Sequence, residues 1–254
     1  MSYIATTPTQ RREMLNVCGV GSIEELFRDI PEDLRPASFD LPRARSEFEI
    51  ATFLKRLAGQ NYSHLVSFLG GGFYDHYIPA ALEALVSRSE FYTAYTPYQP
   101  ELSQGTLQAI YEYQSHICRL LEMDVANASL YDGGTALYEA CQMAISAVRR
   151  PKIVIDGGVN PIYRKMLYSY TANLSIEFGE LPALHGASNR EAVREAVDER
   201  TAAVILQNPS FFGVIDNHAD IVEQCHERGA LVIESVYPTA MALLAPPGEI
   251  GADI

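Results

Sequence analysis

Apolar positions along the middle of the chain recur at two different periods, and the change of period is the first guide to its architecture. Leu107, Ile110, Tyr111, Gln114, Ile117, Cys118 and Leu121 repeat every three or four residues and predict a helix over 103–122. After a strand expected at Ala128–Tyr131, the turn Asp132-Gly133-Gly134-Thr135 leads into a helix carrying Leu137, Ala140, Cys141, Ala144, Ile145 and Val148. From there strands and helices alternate. Strands are expected at Lys152–Asp156, Leu174–Phe178, Ala202–Gln207 and Ala230–Glu234. Helices are expected from Asn160-Pro161, over Asn189–Val197, and over Asp216–Arg228 closed by Gly229. Short connections between alternating elements require a mainly parallel sheet with helices on its faces. The runs Ile153-Val154-Ile155, Ala203-Val204-Ile205-Leu206 and Leu231-Val232-Ile233 suit strands buried on both sides.

The first sixty residues follow another pattern. Thr7-Pro8-Thr9-Gln10, Ser22-Ile23-Glu24-Glu25 and Ser46-Glu47-Phe48-Glu49 each read as a capping box opening a helix. The last of these helices is expected to run from Glu47 to about Ala58 and stop at Gly59. With few long apolar faces, residues 1–60 read as a helical arm that packs on something else, ahead of an α/β domain over 61–254.

Ligands of parallel sheets sit at the carboxyl ends of the strands. Gly133–Thr135, Asp156 to Asn160, Gln207-Asn208 and Glu234 to Tyr237 therefore share one rim. Gly133-Gly134-Thr135 at a helix start is either a phosphate cradle or a tight turn that needs glycine. Gly70-Gly71-Gly72 is either an anion nest or a plain turn. Between them Phe91–Gly105 gathers three tyrosines, Glu101, Gln99 and Gln104 around Pro97 and Pro100. The prolines stiffen the backbone, so the stretch is either a surface loop or a rigid platform for polar groups.

A net charge of −13 argues against nucleic acid and anionic membrane surfaces as partners. No apolar run approaches the ~20 residues of a membrane span, and the first residues lack the apolar core of a signal peptide. A cytoplasmic protein is expected. Cys18, Cys118, Cys141 and Cys225 form no Cys-x-x-Cys pair, three of them lie in helical patterns, and the six histidines show no ligand spacing. No metal site is expected.

The stretch Thr96-Pro97-Tyr98-Gln99-Pro100-Glu101-Leu102-Ser103-Gln104-Gly105 resembles a signature of the glycine decarboxylase P-protein family of the glycine cleavage system. Four more stretches match in the family's order: Ser22–Phe27, Tyr74–Pro79, Asp124–Asp132 and Pro246–Glu249. The likeness is greatest to the alpha-chain branch, subunit 1 of the two-subunit form. It implies a fold-type I pyridoxal phosphate-dependent transferase-like domain of the aspartate aminotransferase superfamily, with the small C-terminal domain absent. It also implies glycine decarboxylation with transfer of the aminomethyl group to the lipoyl arm of H-protein, in a heterotetramer with subunit 2, the beta chain.

The same resemblance locates a deficit. Catalysis in these enzymes needs a lysine that holds pyridoxal phosphate covalently, beyond the strand whose aspartate faces the ring nitrogen. Lys55, Lys152 and Lys165 are the chain's three lysines, and none follows Glu234–Pro238. Where the family carries a stacking histidine before proline, Asn160 precedes Pro161; where it carries aspartate before proline, Tyr237 precedes Pro238. All three lysines read as solvated. The expectation is a vestigial cofactor turn at Gly133, Gly134 and Thr135, with pyridoxal phosphate held by a lysine of the partner subunit. Tyr95, Tyr98, Glu101 and Gln104 are expected to complete the partner's site. A purely structural subunit and an independent enzyme such as an aminotransferase stand as alternatives.

Overall fold

The computed structural model describes residues 5–36, 38–68, 70–72, 74–92 and 95–254. Leu69, which ends the apolar run before the glycines, and Thr93 and Ala94 of the tyrosine-rich stretch lie outside the described residues. The chain divides into two compact units, Met1–Phe68 and Leu69–Ile254.

The first unit contains α1 (Pro8–Cys18) and α2 (Glu47–Ala58), joined by short 3₁₀ turns at Glu24–Phe27 and Glu32–Leu34. Both helices begin as their capping residues dictate. The Thr7 and Ser46 hydroxyls accept from the Gln10 and Glu49 backbone N–H groups, and those side chains accept in return from the cap backbone. At Ser22 only half of the box forms: its hydroxyl accepts from Glu25 N–H, while the Glu25 carboxylate accepts from Gly21 N–H and not from Ser22. A 3₁₀ turn results where a helix start was expected. None of the described residues in this unit is buried.

The second unit opens with α3 (Ala80–Val86), the single turn α4 (Ser89–Tyr92), and α5 (Gln104–Leu121). Next come α6 (Gly133–Val148), β1 (Lys152–Ile155), α7 (Pro161–Tyr170), β2 (Glu177–Glu180), α8 (Arg190–Ala196), β3 (Thr201–Asn208), α9 (Ala219–Glu227) and β4 (Leu231–Val236). The four strands form one parallel sheet in the order β2-β1-β3-β4. Beyond β4, Ile254 N–H donates to Val232 C=O and Ile254 C=O accepts from Glu234 N–H, so the last residues run along that strand's outer edge.

Alternation along each strand divides the core in two. Ile153, Ile155, Ala203, Ile205 and Ile233 face α6 and α7, where Leu137, Ala140, Cys141, Ala144 and Leu167 meet them. Val154, Val204, Leu206 and Val232 face α8 and α9 through Val193, Ile221, Val222 and Cys225. Each such aliphatic side chain stabilises the fold by about 1.5–3 kcal/mol on full burial. Burial pushes the Cys141 and Cys225 thiols up to about 12, so both behave as small apolar groups.

Three expectations need correction. Residues 128–131 form no strand: the Ser129 N–H donates to the Asn127 side-chain oxygen and Ser129 takes φ 128°, which turns the backbone off an extended path. β2 begins at Glu177, not Leu174, because its pairing with Lys152–Ile155 sets the register. Helix α9 starts at Ala219; ahead of it Asp216 and Asn217 are tied into turns, the Asn217 side chain accepting from Ala219 N–H.

Candidate active site at the strand ends

The rim above β1, β3 and β4 is held by polar side chains that are themselves buried. Asn160 caps α7, its side-chain oxygen accepting from Ile162 N–H at 2.9 Å, and its own backbone N–H donates to Gln207 Oε1 at 2.8 Å. Gln207 Nε2 donates in turn to Pro209 C=O, which joins the end of β1 to the end of β3. Removing this cap with Asn160→Ala is expected to cost about 1–2 kcal/mol, read as a lower urea midpoint with unchanged slope.

At the start of α6 the Asp132 carboxylate accepts from the Thr135 N–H at 2.7 Å and from its hydroxyl at 2.9 Å. The Thr135 backbone donor holds this carboxyl below its ordinary range. A phosphate at this turn would face that anion. The two glycines answer a steric demand instead. A Cβ on Gly133 would stand 2.5 Å from the Tyr163 hydroxyl, and one on Gly134 would stand 2.4 Å from Met166 Sδ. Their smallness lets α7 close on α6. Tyr74 meets the Tyr237 ring edge-on at 5.6 Å. Burial, followed by the neighbouring Tyr163 and Tyr74 phenols, raises the Tyr237 hydroxyl above its ordinary pKa.

Among the described residues no lysine reaches this rim. Lys152 is at the opposite end of β1, where its amine donates to Ala196 C=O and to Asp198, both at 2.6 Å. It is therefore engaged, against the sequence expectation of a solvated side chain. Lys165 lines a surface groove along α7 with Arg164 and Tyr168, and Lys55 lies on exposed α2. With an acid at the phosphate turn and Tyr163 against Gly133, the described residues of this rim do not fit pyridoxal phosphate.

Tyr95, Tyr98, Glu101 and Gln104 lie together on one exposed segment leading into α5; Tyr95 is 87% and Tyr98 81% accessible. Among the described residues no side-chain hydrogen bond links any of the four to another group. The backbone is fixed instead: Gln99 C=O accepts from the Leu102 and Ser103 N–H groups, and α5 packs against the turn at Pro238–Ala242. Gly248 N–H donates to Leu121 C=O, anchoring the far end of α5. The stretch presents its tyrosines outward from an anchored base. Gly133, Gly134 and Thr135 stand on a separate segment at the rim.

A further buried group had no signal in residue spacing. His218, 1% accessible, pairs through Nδ1 with Glu234 Oε1 at 2.9 Å and through Nε2 with Ser188 Oγ at 3.2 Å. A carboxylate only accepts, so Nδ1 donates to Glu234 while Nε2 meets the serine hydroxyl. His218 also walls a cleft of about 290 Å³ with Asn208, Asp216 and Leu243, whereas Ser188 does not reach it. The sequence hint was Glu234 itself: a charge inside an otherwise apolar strand needs a partner.

Parallel sheet, helical layers and strand-end rim define a fold-type I transferase-like α/β chain. The family model for the glycine cleavage system P-protein matches residues 1–254, and the chain belongs to that family. It is 54% identical over all 254 residues to the "Probable glycine dehydrogenase (decarboxylating) subunit 1" of Maridesulfovibrio salexigens, and 53% identical to the protein so named from Geotalea uraniireducens. It spans 57% of the length of these relatives. A crystal structure of glycine decarboxylase (P-protein) of the glycine cleavage system, in inhibitor-bound form, superposes with a TM-score of 0.91 at 40% identity, over the whole of this chain and 57% of that one. A sphingosine-1-phosphate lyase from Burkholderia pseudomallei shares the fold at 15% identity, with a TM-score of 0.56 over 80% of this chain. No helix of the described residues is long and apolar enough to cross a membrane.

Proposed function

We propose that this chain acts as the alpha-chain side of a glycine-decarboxylating enzyme, completing an active site whose pyridoxal phosphate is held by a lysine of a partner subunit. One observation carries the reading: a chain matched throughout by the P-protein family holds Tyr95, Tyr98, Glu101 and Gln104 exposed on an anchored segment, while the turn at Gly133–Thr135 is taken up by Asp132 and Tyr163. The cofactor supplies an electron sink when bound, which lets glycine lose its carboxylate as CO2. The aminomethyl group then passes to the lipoyl arm of H-protein, and the work is cytoplasmic.

The part assigned to this chain is positional. Tyr98 O–H and the Gln104 amide donate to substrate or cofactor oxygens, Glu101 orients a donor or relays a proton, and Tyr95 closes the surface beside them. Their accessibility and the anchored backbone beneath them support this role, since a loop already held in shape costs little further ordering on docking.

The test is to co-express the chain with the beta-chain subunit and follow glycine–bicarbonate exchange in the assembled complex. Glu101→Gln is expected to lower exchange by about a hundredfold, the usual scale for a proton-relaying group, and Tyr98→Phe to lower it less. Equal turnover per assembled complex in both variants would remove the site assignment. If gel filtration then showed weaker assembly, the purely structural reading would take its place.

A further inference from the structure

Helix α5 carries the Tyr95–Gln104 segment at its start, yet none of its 18 residues is buried. A packed face therefore does not fix its place; a few ties do. Two of them are the turn at Pro238–Ala242 and the Gln114 amide, which donates to Ala126 C=O. The third is the turn at Pro246–Gly251. Within it Glu249 N–H donates to Pro246 C=O, Gly251 N–H to Gly248 C=O, and Ala252 N–H to Pro247 C=O. This turn is joined to the sheet: Ala252 is buried in the core layer beneath α8 and α9, and Asp253 N–H donates to Val232 C=O. Its other side crosses the end of α5 at close range. Gly248 N–H donates to Leu121 C=O at 2.9 Å, and a Cβ on Gly248 would stand 1.8 Å from Glu122 O and 2.4 Å from Glu122 C. Glu122 is the left-handed cap of α5, with φ 53°. Both contacted atoms are backbone, so a side chain at 248 is admitted only if turn and helix end move apart. At the helix start, Gln99 C=O accepts from Leu102 and Ser103 N–H, and Ser103 C=O from Leu107 N–H, so the segment with Tyr98, Glu101 and Gln104 continues the helix backbone.

We infer that Gly248 is a positioning residue for glycine decarboxylation: the bare crossing at 248 sets the place of α5, and through that helix the reach of Tyr98, Glu101 and Gln104 into the partner's site. Its role rests on the proposed one of those three side chains and adds what holds them in place. The lever is stiff. A helix of this length spans about 27 Å as one hydrogen-bonded body, so a displacement of its end is passed to the segment at its start. One methyl at 248 asks for a separation of roughly 1 Å, and a misplacement of that size far from the reacting atoms lowers a rate by about a hundredfold.

The experiment uses the complex co-expressed with the beta-chain subunit and reads glycine–bicarbonate exchange per assembled complex. Gly248→Ala is expected to lower kcat about a hundredfold with the glycine KM little changed. A merely structural role would cost assembled complex and leave its turnover alone. Gly179→Ala, whose Cβ would meet Lys152 Cε at 3.8 Å, should leave exchange unchanged. Because the effect runs through the segment, adding Gly248→Ala to Glu101→Gln should cost far less than it does alone. Amide hydrogen exchange over Gln104–Leu121 in the same complex should quicken in Gly248→Ala and not in Gly179→Ala. Should Gly248→Ala not assemble, Pro246→Ala is the milder variant, since it keeps the carbonyl that accepts from Glu249 and Ile250; a fall of about threefold is expected from the loosened turn. Unchanged turnover in Gly248→Ala, or in Pro246→Ala where that variant stands in, overturns the clamp and leaves the site reading standing. A fully multiplied loss in the double variant does the same. A silent Glu101→Gln beside an impaired Gly248→Ala removes the site reading, and the clamp's role with it.

Discussion

Replacing Glu234 with alanine is expected to destabilise the second unit by about 1–3 kcal/mol, the cost of leaving a buried donor without its acceptor. The carboxylate and the His218 ring are both almost wholly withdrawn from water. Without Glu234 the imidazole keeps only its contact to Ser188, and Nδ1 becomes a buried donor with nowhere to donate. The damage reaches beyond the pair, because His218 stands at the N-cap of α9 and Glu234 lies in β4, so their bond ties a helix to the sheet. Glu234→Gln keeps an acceptor at the same place and should lose a smaller part of the stability. The measurement is the urea midpoint of each variant beside the wild type. Equal midpoints for Glu234→Ala and wild type would show that the pair adds nothing. A double variant with His218→Leu is expected to recover part of the loss, since removing both partners leaves no orphaned group.

The layers of the α/β unit were readable because their causes are local. Ile153-Val154-Ile155 and Ala203-Val204-Ile205-Leu206 are apolar on both faces, and that pattern suits a central parallel strand, which is where β1 and β3 lie. Thr7 and Ser46 announce their helices through side chains that bond three residues ahead. What failed was decided across the sheet. β2 carries glutamates at both ends because it lies at the sheet edge, and only its pairing with β1 places it; the more apolar Leu174 outside it is exposed. Lys152 looked solvated because nothing nearby in sequence predicts that Ala196 C=O and Asp198, more than forty residues later, will meet its amine.

The rim shows the same division. Its membership followed from strand polarity, and Asn160 was readable as a helix cap. The reason for the two glycines at 133 and 134 was not, because cradle and tight turn both call for glycine and the structure supplies a third cause. Tyr163 and Met166 on α7 occupy the volume that side chains there would fill. The Ser188–His218–Glu234 chain was also hidden: its members come from three segments, and only the fold brings them together.

Gly157→Ala is expected to be the most damaging single-methyl addition on the rim, at about 3 kcal/mol, the upper range for overpacking where atoms cannot move aside. A Cβ at this position would stand 2.1 Å from Ala183 N, 2.6 Å from Pro182 C and 2.7 Å from Leu181 O. All three are backbone atoms, and Leu181 N–H is bonded to Ile155 C=O as a continuation of the β1–β2 ladder. Relief therefore requires that ladder to open or the segment Asp156–Asn160 to shift. Either movement pulls Asn160 off Gln207 and spoils the geometry at the rim. Gly133→Ala provides the contrast: its nearest neighbour is the hydroxyl end of Tyr163, which can swing away, so about 1 kcal/mol is expected. Urea midpoints of the two variants test the ordering. A Gly157→Ala protein as stable as Gly133→Ala would mean that the two backbone segments are not held against each other.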